Sequence, residues 1–141
     1  MIYADTSALV KRYLAEPFST EFDALFQQGA MAISRLTVVE LRCALARRRR
    51  NREIDALHEN RINAELASDI QGGALRMGSV GDADFTAAYH LIGRLAHVSL
   101  RTLDALHLAS AEQMAAAAFA TADKTQAEAA AALGFTVHRF F

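Results

Sequence analysis

Short apolar segments alternate with longer helical segments along this chain, and this alternation restricts its fold more than any other feature. Ile2, Tyr3 and Ala4 predict a first buried strand, and residues 30–33 and 119–121 predict two more. Further strands are expected near residues 75–80 and 135–137. Several of these strands are apolar without alternation, as is typical of strands buried on both faces. The pattern predicts an α/β fold with a short parallel sheet and helices on both faces.

Helical segments fill the intervals between the predicted strands. Asp5, Thr6 and Ser7 offer N-cap residues for the first helix, and Ser34 is the expected N-cap of the long helix that carries Glu40. The predicted helices cover residues 8–14, a segment that ends at Gly29, Ser34 to the arginines at 47–50, and residues 53–71, 82–92, 103–114 and 126–133.

The size and composition of the chain exclude several classes of protein. With 141 residues it is expected to form one domain, residues 1–141, and its 52% of hydrophobic residues exclude disorder. Charged residues or histidines interrupt every apolar run well before the ~20 residues of a membrane span, so no membrane partner is expected. The first residues lack the basic start of a signal peptide. The single Cys43, among apolar neighbours in sequence, cannot form an internal disulfide, which fits a reducing cytoplasm.

Four acidic residues stand where this fold turns side chains inward: Asp5, Glu40, Asp104 and Asp123. Asp5 and Asp123 each follow a predicted strand, so both are expected at the carboxyl edge of the sheet, where ligands bind in such folds. Glu40 and Asp104 interrupt otherwise apolar helices. Buried carboxylates are unfavourable unless they are paired or bound to a cation. If several converge on one pocket, a divalent metal is the simplest solution.

Each acid also has a purely structural interpretation. Asp5 and Asp123 can serve as helix N-caps, a role worth ~1 kcal/mol. Glu40 and Asp104 can form buried ion pairs with a nearby arginine such as Arg101. The sequence leaves both interpretations open for each residue.

Hydroxyl groups and one histidine accompany the acids. Thr6 and Ser7 follow Asp5, and Thr121 precedes the last acid. Such hydroxyls can orient carboxylates, hold a water or contact a phosphate oxygen, or they can cap helices. His107 is expected to be a core or supporting residue, because a hard oxygen-rich site prefers Mg²⁺ or Mn²⁺ to metals that favour histidine.

A dense basic segment contrasts with the net charge of −1 for the whole chain. The arginine block consists of Arg47, Arg48, Arg49, Arg50 and Arg52. It can attract phosphate groups if it lies near the acids. Alternatively it is the solvated end of a helix, where cations are favoured. Both interpretations are equally compatible with the sequence.

Four segments, in order, resemble the motifs of PIN-domain ribonucleases. They are YADTSAL from Tyr3, ISRLTVVE from Ile33, RTLDALHLA from Arg101, and ATAD from Ala120 followed by ALGF from Ala132. Each motif is weak alone, but the four occur in the family's order and spacing across essentially the whole chain. The size of the chain is similar to that of the VapC toxins of bacterial toxin–antitoxin pairs.

The resemblance implies an endoribonuclease that depends on Mg²⁺ or Mn²⁺. Asp5 and Asp104 would be the main metal ligands, and Glu40 and Asp123 would complete the cluster directly or through waters. The accompanying hydroxyls would hold a water or a phosphate oxygen. Because an acidic pocket repels RNA until a metal is bound, the arginine block is the candidate that attracts the RNA. Such a metal would lower the pKa of a water and neutralise charge on the phosphate.

The resemblance also implies protein partners, namely a cognate antitoxin that covers the acidic pocket and a second copy of the chain in a homodimer. The stripe Phe18, Phe22, Leu25 and Phe26 either forms part of a groove for the antitoxin or faces the core. The alternative functions are a PIN-like nuclease that processes RNA or acts on DNA, and an inactive nucleic-acid-binding module.

Overall fold

The computed structural model describes residues 1–141 and contains a five-stranded parallel sheet between two layers of helices. The strands are β1 (Ile2–Ala4), β2 (Met31–Ser34), β3 (Leu75–Gly78), β4 (Ala118–Thr121) and β5 (Thr136–Arg139). The helices are α1 (Thr6–Tyr13), α2 (Ser19–Phe26), α3 (Arg35–Arg50), α4 (Ala56–Gln71), α5 (Asp82–Arg94), α6 (Thr102–Gln113) and α7 (Lys124–Ala132). The strand order is β3-β2-β1-β4-β5, and every neighbouring pair is parallel. The predicted fold class is confirmed.

The two faces of the sheet carry separate cores, because successive strand residues point to opposite sides. Helices α1 to α4 cover one face, and helices α5 to α7 cover the other. The first core includes Leu9, Phe22, Leu41, Ile62 and Ile33, and the second includes Leu91, Leu108, Ala129, Tyr3 and Phe119. No helix is both long enough and apolar enough to span a bilayer.

The ends of several elements differ from the sequence prediction by up to three residues, and three details bear on the site or on the alternatives left open. Strand β3 ends at Gly78, two residues before the predicted end. Ser34 occupies the N-cap position of α3, but its hydroxyl is buried and makes no hydrogen bond to the helix. In the stripe Phe18, Phe22, Leu25 and Phe26, Phe22 and Leu25 are buried in the core, whereas Phe18, which directly precedes α2, is 39% exposed.

The order of the strands determines where a site can form. The chain moves outward from β1 to β3 on one side and then crosses to β4 on the other side of β1. Ligands of such sheets bind beyond the carboxyl ends of the strands at this switch point. Helices α1, α3 and α7 begin within three residues of the ends of β1, β2 and β4. Their N-termini therefore bring positive dipole ends to the same edge.

Candidate active site

Asp5 lies at the centre of this edge, directly after β1, and is only 4% exposed. It is the N-cap of α1, and its Oδ1 accepts the backbone N–H of Ala8 at 2.9 Å. The Ser7 hydroxyl donates to Oδ1 at 2.7 Å, and the Thr121 hydroxyl donates to Oδ2 at 2.6 Å. Burial raises the pKa of the Asp5 carboxyl, although these bonds and the nearby His107 favour its charged form. The carboxylate is thus held firmly by hydrogen bonds, and no lysine or arginine forms an ion pair with it.

The hydroxyls of Ser7 and Thr121 each donate one hydrogen bond and accept another. Ser7 Oγ accepts the backbone N–H of Ala122 at 2.8 Å while it donates to Asp5. Thr121 Oγ1 likewise accepts the N–H of Asp123 at 3.0 Å while it donates to Asp5. Both hydroxyls therefore orient the acid and connect it to the end of β4. That they also contact a water or a phosphate remains a prediction.

Glu40 reaches the same edge from within α3 and is held by two side chains. The Thr6 hydroxyl donates to Oε1 at 2.9 Å, and Nε2 of His107 lies 2.5 Å from the same oxygen. Because a carboxylate only accepts, Nε2 carries the hydrogen in this bond. Burial acts to raise the pKa of Glu40, but the bonds from His107 and Thr6 outweigh it and hold the pKa below its ordinary range. Nδ1 of the buried His107 lies 2.8 Å from the Tyr3 hydroxyl, which anchors this contact in the core.

Asp104 and Asp123 are bridged by Arg101. The arginine Nε donates to Asp104 Oδ2 at 3.0 Å, and Nη2 donates to Asp123 Oδ2 at 3.5 Å. Asp104 is the third residue of α6, one position further into the helix than predicted, and its Oδ2 also accepts the backbone N–H of Arg101 at 3.3 Å. Asp123 is the N-cap of α7 and accepts the N–H of Gln126 at 2.9 Å. The hydrogen bond to Asp104 and the charges of both acids raise the pKa of Arg101.

The structure brings the four predicted acids to one edge, which we call the acidic edge. Its members are Asp5, Glu40, Asp104 and Asp123. Thr121 links two of them, Arg101 links two, and Glu40 lines one depression together with Asp104 and Arg101. The structural roles that the sequence left open, N-caps and an arginine pair, are also present. They orient the same carboxylates that converge on the edge.

Each acid keeps an oxygen available for a cation. Three of the roughly four acceptor positions of Asp5 are filled, which leaves one on Oδ2. Oε2 of Glu40 and Oδ1 of Asp104 make no hydrogen bond, and Oδ2 of Asp123 meets only Arg101. No three acidic, histidine or cysteine side chains are grouped tightly enough to enclose one metal ion. Mg²⁺ is ordinarily held by one or two carboxylates with water and phosphate, so this oxygen donor set fits it.

A groove with a volume of about 810 Å³ is lined both by Thr6, Ser7 and Glu40 and by part of the arginine block. Apolar side chains, among them Val10 and Leu36, also line this groove. Cys43, which the sequence places among apolar neighbours, is exposed and also lines this groove.

The arginine block divides into paired and free side chains. Arg48 forms ion pairs with Glu16 at 2.9 Å and Glu53 at 3.1 Å. Arg49 pairs with Glu59 at 2.7 Å and points toward α4. Arg47, Arg50 and Arg52 form no ion pair, and of these Arg47 and Arg50 line the groove. These two arginines therefore carry unpaired charge on the same groove that Glu40 lines.

The sequence does not indicate the roles of two residues at the site, Arg101 and Tyr3. Arg101 enters it only as a structural partner, although its spacing three residues before Asp104 was a usable signal for a contact across one helical turn. Tyr3 contacts a histidine 104 positions away, and no local pattern predicts that contact.

Comparison with known proteins gives one family and several similar structures. A family model described as the PIN domain matches residues 2–132. No curated protein matches the chain in sequence.

The similar structures cover nearly the whole chain. VapC20 from Mycobacterium tuberculosis, described as a toxin that cleaves the sarcin-ricin loop, has a TM-score of 0.71 at 15% identity and covers 96% of this chain and 97% of its own. FitAcB from Neisseria gonorrhoeae has a TM-score of 0.70 at 18% identity, with 97% and 96% covered. VapBC2 from Rickettsia felis, bound to a DNA fragment from its promoter, has a TM-score of 0.67 at 15% identity, with both chains fully covered (100% and 100%). At such identities the similarity concerns the fold. Because the family model spans nearly the whole sequence, the chain belongs to the PIN domain family.

Proposed function

We propose that this chain is an endoribonuclease that depends on a divalent metal, Mg²⁺ or Mn²⁺. The observation that supports the proposal is the acidic edge, where four carboxylates are each oriented by the protein and each keep a free acceptor. Asp5 is buried although no lysine or arginine pairs with it, an arrangement that is unfavourable for stability alone. A divalent cation would supply the missing positive charge.

The acidic edge would hold the metal through its free oxygens, directly or through waters. When bound, the metal supplies positive charge to the phosphate and lowers the pKa of a water. Hydrolysis joins the oxygen of a water to phosphorus and breaks one ester bond, which leaves a phosphate monoester on one fragment and a hydroxyl on the other. The protein contributes pre-oriented carboxylates, because Thr6, Ser7 and Thr121 fix them before the substrate arrives. These hydroxyls are also the proposed contacts to a water or a phosphate oxygen.

RNA would approach along the groove. Its backbone is negative, and the acidic edge repels it until a metal is present. Arg47 and Arg50 carry unpaired positive charge beside the same groove and would attract the RNA backbone. Arg48 and Arg49 contribute less, since each already neutralises a glutamate.

We further propose that the chain is the toxin of a toxin–antitoxin pair and acts in the cytoplasm. The VapC and VapBC structures described above support this assignment, and the apolar side chains that line the groove can accept a segment of an antitoxin. Expression of the chain alone should arrest growth, and co-expression of a small protein encoded beside it should restore growth. Arrest that no neighbouring gene product relieves would favour a nuclease of RNA processing.

The direct test is cleavage of a mixed RNA pool in Mg²⁺, in Mn²⁺ and in EDTA. Asp5→Asn should lower the cleavage rate by at least about 100-fold, because it removes a charge aimed at the reacting phosphate. Asp55→Asn is the matched control. Asp55 is also a helix N-cap, accepting the N–H of His58 at 2.8 Å, but it lines a separate depression. Equal activity of the two variants, or cleavage that persists in EDTA, would contradict the proposal.

A further inference from the structure

Arg101 is the only arginine or lysine that contacts the acidic edge. Its guanidinium bonds Asp104 at 3.0 Å and Asp123 at 3.5 Å, so one cation is shared by two carboxylates. The Arg101 side chain is nevertheless 75% exposed. The Asp104 and Asp123 side chains are 13% and 33% exposed, but the cation that pairs with them lies in water, where ion pairs are weak and exchange readily. The guanidinium can therefore leave these acids when a stronger cation replaces it.

The helix that presents Arg101 does not depend on the position of this side chain. The backbone N–H of Arg101 donates to Asp104 Oδ2 independently of the guanidinium. When the side chain moves, the first turn of α6 keeps this bond. The guanidinium can then reorient over a fixed backbone.

The donors of Arg101 are only partly used. Of the five N–H groups of a guanidinium, Nε–H and one N–H of Nη2 face the acids. Three N–H groups remain, in a planar fork that matches two oxygens of a phosphate. An exposed arginine beside metal-binding carboxylates is thus equipped to contact the phosphate that those carboxylates process.

We propose that Arg101 exchanges partners during the reaction. In the metal-free chain it neutralises Asp104 and Asp123, and once a divalent cation takes these carboxylates it binds the non-bridging oxygens of the RNA phosphate. This inference rests on the proposed nuclease function. It makes Arg101 both a competitor of the metal and a catalytic residue that stabilises charge on the phosphate.

The competition between Arg101 and the metal is tested by measuring Mn²⁺ binding in the absence of RNA, with electron paramagnetic resonance used to quantify the free ion. Arg101→Gln should bind Mn²⁺ roughly 3- to 10-fold more tightly, because it removes a cation that competes for two acids. The Mn²⁺ affinity of Arg101→Lys should lie between those of the wild type and Arg101→Gln. Arg94→Gln is the matched control and should leave the affinity unchanged. Arg94 is also exposed and pairs with Glu112 at 3.1 Å.

The contact between Arg101 and the phosphate is tested by cleavage of RNA at saturating Mn²⁺, with the wild type and the same three variants. Arg101→Gln should lower kcat about 10- to 100-fold, since a charge that stabilises the phosphate is lost. Arg101→Lys should restore part of the rate, because lysine keeps the charge but not the fork. Circular dichroism should show the same helix content for all four proteins.

The two measurements separate the possible outcomes. Tighter Mn²⁺ binding together with slower cleavage supports the exchange of partners. Unchanged metal affinity overturns it, whatever the rate, as does an Arg101→Gln variant that cleaves at the wild-type rate. If the wild type cleaves no RNA while Asp5→Asn is equally inert, the proposed function fails and the phosphate contact fails with it.

Discussion

Asp5→Asn separates the demands of folding from those of function. The carboxylate is buried, and three hydrogen bonds at 2.6–2.9 Å hold it. An amide has nearly the same shape and carries no charge. Its oxygen can accept from Ala8 and Ser7, and its NH₂ group can donate to Thr121 after that hydroxyl rotates. The variant should therefore keep the local structure while it loses the charge.

The expected change in stability follows from two opposing contributions. Burial of the charge costs several kcal/mol, and hydrogen bonds to a charged acceptor return about 1.5–3 kcal/mol each, against about 1 kcal/mol for neutral ones. Over three bonds these contributions nearly cancel. Because burial leaves the pKa of Asp5 raised, the charged form remains disfavoured in the fold. We expect Asp5→Asn to be about 0–2 kcal/mol more stable than the wild type at pH 7, which raises Tm by at most several degrees.

The assay is thermal unfolding in EDTA, with Asp55→Asn as the control for an exposed N-cap. Asparagine caps helices about as well as aspartate, so the control should change by no more than about 0.5 kcal/mol. Asp5→Asn should show the stability gain together with loss of RNA cleavage. If Asp5→Asn is destabilised by more than about 2 kcal/mol, the charge is structural and the reasoning is refuted.

The difference in unfolding free energy between Asp5→Asn and the wild type should change with pH in a direction that the pKa of Asp5 determines. The folded-state pKa of Asp5 is raised above the ordinary 3.8, so the folded chain binds this proton more tightly than the unfolded chain. The unfavourable contribution of the charge is complete above the raised pKa and disappears as the pH falls toward 3.8. The stability advantage of Asp5→Asn should therefore shrink on acidification, and an advantage that grows would contradict the sign of this shift.

Three further outcomes follow from other parts of the structure. Asp69→Asn should lower the free energy of unfolding by about 1–2 kcal/mol at pH 7, because Asp69 accepts two hydrogen bonds from Arg12 and one from the Tyr13 hydroxyl. These bonds outweigh burial and hold the pKa of Asp69 below its ordinary value. The stability difference from the wild type should therefore vanish when the pH falls below that pKa, as urea unfolding can check. Tyr3→Phe should weaken Mn²⁺ binding about 10-fold without unfolding the chain, because His107, which bonds Glu40, loses its hydrogen bond to the Tyr3 hydroxyl. Unchanged Mn²⁺ affinity by calorimetry would contradict this. Replacing Arg47 and Arg50 by glutamine should reduce the salt dependence of RNA binding by a slope of about 1.4, and the same slope as the wild type would show that they do not contact phosphate.

The sequence predicts the acidic edge well because position along a strand or helix determines it. Asp5 and Asp123 follow strands, and the parallel sheet brings the ends of its strands to one edge. The start of α6 was predicted within one residue, at Leu103 against the observed Thr102, so Asp104 was already expected near the helix start. The capping bond from the backbone N–H of Arg101 to Asp104 was not predicted, because apolar periodicity does not reveal such side-chain bonds.

Contacts between distant parts of the chain could not be predicted in the same way. The bond from Tyr3 to His107 requires that β1 and α6 pack together, and only the folded chain shows this. The arginine block has the same limitation. Its five charges look equivalent in sequence, yet acids from α4 and from two loops neutralise Arg48 and Arg49.

If the acidic edge holds a divalent cation that RNA cleavage requires, cleavage must depend on the carboxylates of this edge. We would therefore measure the rate of cleavage of one RNA substrate as a function of Mn²⁺ concentration, for the wild type and for Asp104→Asn. The wild-type rate should saturate with Mn²⁺, whereas the variant should need much more Mn²⁺ or stay inactive at all concentrations. Identical Mn²⁺ curves for the two proteins would show that the acidic edge does not hold the required cation.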